Sequence, residues 1–231
     1  MTISAFGTNT VPGQIHFVSY CENTRNAFHE GHVTLPPRVG AVRSAASTGR
    51  YAAWGTDQSP GVVVPGGALR GPEYIVLEPG EDTLAAATAD PVGNTFLFAT
   101  WTAPTRIIKF QVDEDTLTLN RTTSVVLPRG VDYVRAAAAD PRGAVSFFAT
   151  DTYPAVIVKI RHSDLALLDV VVLRGEEGRF IRAGAMHPTD GTSYWATYTS
   201  PTRVVKIIHA EEEEEEEEGD LLEREEVQQP R

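Results

Sequence analysis

Two carboxylates share one repeated position of the chain. Asp57 and Asp151 each follow a small residue and a threonine, and each stands three residues before a proline. A carboxylate pair can divide the work of general acid and general base, the chemistry of glycosidase-like or lactonase-like hydrolysis. The same column holds Asn9, Trp101 and Tyr198, and Asp followed by Thr is also ordinary turn capping. No catalytic residue is assigned, and Asp57 and Asp151 are the candidates should the chain be a hydrolase. Trp101, Tyr153 and Tyr198 bring amphipathic contact area suited to protein or glycan recognition; the competing role is packing between repeats. Arg43, Arg135 and Arg182 each open an inner-strand segment and could ring one mouth as an anion site. The alternative is pairing with connector acids such as Asp132 and Glu177, worth little at a surface. The expected binding face is therefore Trp101, Asp151, Tyr153, Tyr198, Arg135 and Arg182. His29-Glu-Gly-His32 meets no zinc spacing and reads as a solvated loop beside Cys21, so no metal site and no cofactor is expected. Lys109, Lys159 and Lys206 recur on one strand and read as structural, with a stem that covers apolar surface.

These positions come from a repeat. Leu84 to Phe110, Arg135 to Ile160 and Ile181 to Ile207 say nearly the same thing, and two weaker copies lie upstream. Aligned on Pro12, Pro60, Pro104, Pro154 and Pro201, the copies are spaced by 48, 44, 50 and 47 residues. Six residues before each proline stands Phe6, Trp54, Phe98, Phe148 or Trp195, followed by Gly or Ala and then Thr. Large, small, β-branched suits a strand buried between stacked sheets. Asp90-Pro-Val-Gly93 and Asp140-Pro-Arg-Gly143 carry type I turn chemistry. Further strands are expected at Arg106 to Phe110, Val156 to Ile160 and Arg203 to Ile207, with outer ones at His32 to Leu35, Tyr74 to Leu77, Thr123 to Leu127 and Leu168 to Leu173. The Ala-rich runs would favour helix by propensity, but the Asp-Pro that ends two of them favours crowded inner strands.

Periods of this length with strand content indicate propeller blades. The units resemble YVTN-type, quinoprotein-like and WD-repeat-like propellers over roughly residues 3 to 209. The resemblance implies an all-β propeller of about five four-stranded blades, or an arc of a larger one. The second copy departs most, with Pro65 where Lys109, Lys159 and Lys206 stand in three others. The first copy lacks its inner strand and the fifth its outer one; a ring is the expected form, since an open arc would expose sheet edges and apolar faces. Such propellers serve as scaffolds, sugar binders and enzymes. The leading expectation is a non-enzymatic protein-interaction scaffold, with a hydrolase or a carbohydrate-binding lectin as alternatives.

Charge divides the chain at Ala210. Of 31 acidic and 20 basic residues, twelve acids and two arginines lie beyond it, leaving 19 and 18 before it. The formal net charge of −11 is thus almost all tail, and a near-neutral body offers no basic field for nucleic acid. Glu211 to Glu218 are expected to be disordered, solubilising, or a lure for basic partners. One domain over 1–209 and a tail over 210–231 follow. The single cysteine excludes an internal disulfide framework, and no apolar run is long enough to span a membrane. Without a secretory pattern at the start, the chain reads as intracellular.

Overall fold

Alternating apolar and polar residues between turn signals form strands throughout a computed structural model that describes residues 2–21, 26–90, 92–140, 142, 144–175 and 178–209. The 18 strands make five antiparallel sheets, named first to fifth in chain order. The first holds β1 (Thr2–Gly7), β2 (Gln14–Cys21) and β3 (Asn26–Thr34). The second holds β4 (Val42–Ser47), β5 (Tyr51–Thr56), β6 (Val62–Gly67) and β7 (Ile75–Val76). The third holds β8 (Leu84–Asp90), β9 (Thr95–Thr100), β10 (Arg106–Asp113) and β11 (Thr118–Val126). The fourth holds β12 (Val134–Asp140), β13 (Val145–Thr150), β14 (Val156–Arg161) and β15 (Leu167–Val172). The fifth holds β16 (Ile181–Met186), β17 (Thr192–Thr197) and β18 (Val204–Ile208).

Each sheet is a meander, and the Ala-rich runs are its inner strands: β4, β8, β12 and β16 pack side by side. Small side chains are required there. Gly184 on β16 has no room for even a methyl group, since a Cβ would come 2.3 Å from the Trp195 ring. The sheets meet at four interfaces, each filled by its own apolar cluster. Trp54 and Ile15 join the first two sheets, Phe98 and Tyr51 the second and third, Phe148 and Leu97 the third and fourth, and Trp195 and Phe147 the fourth and fifth. From Trp54 onward the aromatic column of the repeat thus fills the gaps between sheets.

The expectation of about five four-stranded blades is corrected in two ways. Only three sheets have four strands, because the first begins at the second strand of the repeat unit and the fifth stops at the third. Nor is a closed ring seen among the described residues. Among the described residues no apolar cluster joins the fifth sheet to the first, and Val204 and Ile208 on the outward side of β18 are 66% and 71% exposed. The expected outer segment His32 to Leu35 overlaps the end of β3, so His29 and His32 lie on a strand and not in a loop. Pro91, Pro141 and Gly143 of the two Asp-Pro turns, Glu177, and the tail from Ala210 lie outside the described residues.

Candidate ligand-binding mouth

The threonine columns have a specific purpose. The hydroxyl of Thr100 accepts the Arg106 backbone N–H at 2.8 Å, and Thr8, Thr56, Thr150 and Thr197 accept the equivalent N–H six residues on. In four copies a second threonine hydroxyl lies within 2.7 Å of the first and donates to the carbonyl of the aligned proline, as Thr102 does to Pro104 at 2.8 Å. The second copy has Gln58 at that place. The peptide bond before each of the five prolines is cis. The threonine hydrogen bonds present the residue between them from a pinned loop, a mount for a side chain whose identity is free to vary.

That residue is also anchored through its backbone. The N–H groups of Asp57, Trp101, Asp151 and Tyr198 donate to the carbonyls of Ala41, Thr83, Tyr133 and Phe180 at 2.8 to 2.9 Å. Thr83, Tyr133 and Phe180 all have left-handed backbones, with φ of 46°, 55° and 46°. For non-glycine residues this is costly, and its recurrence at one repeat position marks a geometry the surroundings impose. Directly after each comes the start of an inner strand, where the pairing register skips one residue: Arg43, Ala85, Arg135 and Arg182. A β-bulge re-aims the extra side chain. Three of four bulges carry arginine, and these arginines turn into the space between the inner strands.

There Arg43, Arg135 and Arg182 line a cavity of about 330 Å³ with Asp57, Thr83 and Trp101. Arg43 holds Asp57 through Nε and Nη2, at 2.9 and 2.8 Å from Oδ2. Arg182 holds Asp151, with Nη2 2.9 Å from Oδ2, and its guanidinium lies 4.8 Å from the centre of the Tyr198 ring. The acids that pair Arg43 and Arg182 are thus Asp57 and Asp151, not the connector acid Asp132, and Glu177 lies outside the described residues. Among the described residues Arg135 makes no ion pair or hydrogen bond; the Trp101 ring lies 5.9 Å away and the charge of Asp151, held by Arg182, is felt at longer range. Burial, together with the neighbouring charges of Arg182 and Arg43, holds its affinity for its proton below the ordinary arginine range. Burial raises the Asp151 carboxyl, against the pull of Arg182 and Arg135. Its Oδ1 is buried without a hydrogen-bond partner. Trp101, Tyr153 and Tyr198 are 43%, 58% and 70% exposed, so they do not serve as packing between sheets. Trp101 also stacks at a tilt on Tyr133, at 5.5 Å, and Arg179 lies over Tyr153 at 4.9 Å.

A second set of polar residues was missed at the level of sequence. Ser146 Oγ is 2.6 Å from His162 Nε2, and His162 Nδ1 is 3.3 Å from Asp90 Oδ2 in the preceding sheet, an alignment too poor for a hydrogen bond. Serine, histidine and aspartate in this order are the components of a nucleophilic triad. Ser146 is wholly buried and His162 nearly so, which denies them a substrate. The arrangement recurs one sheet on, where Ser193 Oγ is 2.7 Å from His209 Nε2 and Trp195 Nε1 donates to Ser193 Oγ. Each pair is a stitch between two strands of one sheet, and the histidine carries it to the preceding sheet, His162 beside Asp90 and His209 stacked on the Phe147 ring at 3.9 Å. The sequence signal was present: each serine lies two residues before the large aromatic, and each histidine three after the recurrent lysine. One of those lysines reaches across sheets as well: Lys109 Nζ donates to the carbonyls of His162 and Ser163.

No protein-family model matches the chain, and no curated protein matches it at a significant level. Solved structures do. Chaetomium thermophilum Sqt1, bound to the N-terminus of the ribosomal protein L10, superposes with a TM-score of 0.62 at 13% identity over 84% of this chain. A putative 6-phosphogluconolactonase from Bacteroides uniformis gives 0.67 at 12% over 91%, and the Myceliophteria thermophila Cps50 (Swd1) β-propeller domain 0.61 at 12% over 89%. The fold is that of a β-propeller. This chain spans 53%, 65% and 67% of the lengths of those three chains. At such identities the likeness is one of fold, and the chemistry has to be read from the mouth itself.

Proposed function

We propose that this chain is a non-enzymatic protein-binding platform whose mouth receives an acidic side chain or chain end of its partner. The observation that carries the reading is Arg135, a guanidinium bulged into the cavity between two arginines whose acids are already engaged, with no ion-pair partner among the described residues. A planar donor fork in a partly desolvated site favours a carboxylate, and exposed Trp101, Tyr153 and Tyr198 supply the surrounding contact area. That the Sqt1 structure holds a ribosomal-protein segment supports a peptide-sized occupant on this fold. The Glu211 to Glu218 run adds an electrostatic lure for basic surfaces of the same or another partner. A hydrolase working through Asp57 and Asp151 is disfavoured, because each carboxylate is engaged by an arginine and neither stands free as a base.

Trp101 gives the test. Of the three tryptophans, Trp54 and Trp195 are buried, so fluorescence changes on ligand addition report the mouth. Short acidic peptides are expected to change the Trp101 signal with an affinity that falls as salt rises, basic peptides to leave that signal unchanged, and Arg135→Ala to abolish the acidic-peptide response. Equal response to acidic and basic peptides, or an unchanged Arg135→Ala variant, would overturn the reading.

A further inference from the structure

His16 on β2 and His32 on β3 are direct cross-strand partners, with rings stacked at a centroid distance of 5.2 Å. His29 precedes His32 by three residues, a spacing that in a regular strand sends two side chains to opposite faces. Here the register slips: Phe17 faces Gly31, but Val18 faces His29, which leaves Glu30 as the extra residue. The slip returns His29 to the face of His16 and His32. Gly31, at a φ of 144°, supplies the backbone freedom the irregularity needs. The result is a group of three imidazoles, with His29 Nε2 3.1 Å from His16 Nδ1 and one nitrogen of each ring within 4.8 Å of the others.

We propose that His16, His29 and His32 form a binding site for a divalent cation of the zinc class. Imidazole nitrogen suits zinc, copper and nickel and is a poor ligand for magnesium. Metal–nitrogen bonds of about 2.0 Å set tetrahedral ligand atoms about 3.3 Å apart. The His16–His29 pair already meets that spacing, and the exposed His32 ring closes the set by rotation. The Gln14 side-chain oxygen, 3.2 Å from His16 Nε2, accepts that N–H and leaves Nδ1 with its lone pair toward the metal, the outer partner such ligands use. Three protein ligands leave the fourth position to water or to an incoming group. The site shares no residue with the arginine mouth, so it stands or falls separately from the proposed peptide binding. Its direct effect is to clamp β2 to β3.

The test uses the full chain without an affinity tag, stripped with a chelator and titrated calorimetrically with zinc chloride, with magnesium chloride in parallel. The expected result is one zinc per chain, a raised Tm with zinc, and no binding of magnesium. His32→Ala and His29→Ala, both at exposed positions, are expected to keep the fold by circular dichroism and to lose saturable binding; Cys21→Ser is expected to bind as the parent chain does. Absence of zinc binding by the parent chain would overturn the proposal, as would undiminished binding in the two histidine variants. Loss confined to Cys21→Ser would assign the metal to the thiol and overturn it equally.

Discussion

Arg182 of the fifth sheet reaches back to Asp151 of the fourth, Nη2 to Oδ2 at 2.9 Å, and closes an ion pair over a carboxylate whose side chain is only 4% exposed. Removing the arginine leaves a buried acid with no partner at either oxygen. Arg182→Ala is expected to cost about 1 to 3 kcal/mol at neutral pH, and Asp151→Asn less, since a neutral amide is cheaper to bury. Burial already raises the folded carboxyl above its ordinary value, so this group favours the folded state when protonated and loses that contribution as pH rises through the folded value. The deficit of Arg182→Ala in urea unfolding should therefore shrink on acidification. A deficit that stays constant with pH would contradict this.

His162 carries the opposite sign. Burial pushes its pKa below the ordinary histidine value, with partial opposition from Asp90. Below about pH 6.5 the unfolded chain binds a proton that the folded chain refuses, so stability is complete above that pH and falls as pH drops from it toward the folded value. The slope reaches at most about 1.4 kcal/mol per pH unit for this residue. His209 is lowered by burial as well and acts in the same direction. Melting temperature measured from pH 7.5 to 5 should fall, and His162→Gln should flatten the profile. An equally steep profile in the variant would show that His162 is not the group responsible.

The third sheet offers a natural replacement for this stitch. Where the fourth has Ser146 and His162, the third has Phe96 and Val112, both buried in the apolar cluster between the second and third sheets. His162→Val alone strands the Ser146 hydroxyl and is expected to cost about 1 to 3 kcal/mol. Adding Ser146→Phe should recover part of that loss. A double-mutant cycle reads the coupling, and additive losses would mean that the two positions do not form one unit.

The outward side of the fifth sheet predicts association. Tyr194, Val204 and Ile208 lie exposed on one face, and β18 is an edge strand. Exposed apolar faces and unpaired strand edges recruit other chains. Sedimentation coefficients of the chain should rise with concentration, and Val204→Lys with Ile208→Lys should suppress the rise. Concentration-independent sedimentation of the parent chain would refute this.

Much of the fold was legible in the repeat. Aligning five prolines located the aromatic, small-residue and threonine columns, and those columns require strands because a two-residue period sets the aromatics on a buried face. The lack of an inner strand in the first copy and an outer one in the fifth could be counted from the sequence. Whether the ends meet could not, because closure depends on how much each interface rotates one sheet against the next. The volume and shape of packed side chains such as Trp195 and Phe148 set that rotation.

The candidate site divides in the same way. Sequence alone singled out Arg43, Arg135 and Arg182 as a column, and Asp57 and Asp151 as another, because repetition makes irregular positions visible. Only the tertiary structure joined the columns, since a bulged register aims the arginines and a partner from the neighbouring sheet decides that Asp151 pairs with Arg182 and not with Arg135. His16 stands where the other copies have Val64, Ile108, Val158 and Val205, and the meeting of His29 with His16 and His32 depends on a one-residue slip between two strands. Local spacing determines which residues form a strand and which face they would take in a regular one. Long-range pairing decides where that regularity breaks, and both the arginine mouth and the histidine cluster sit at such breaks.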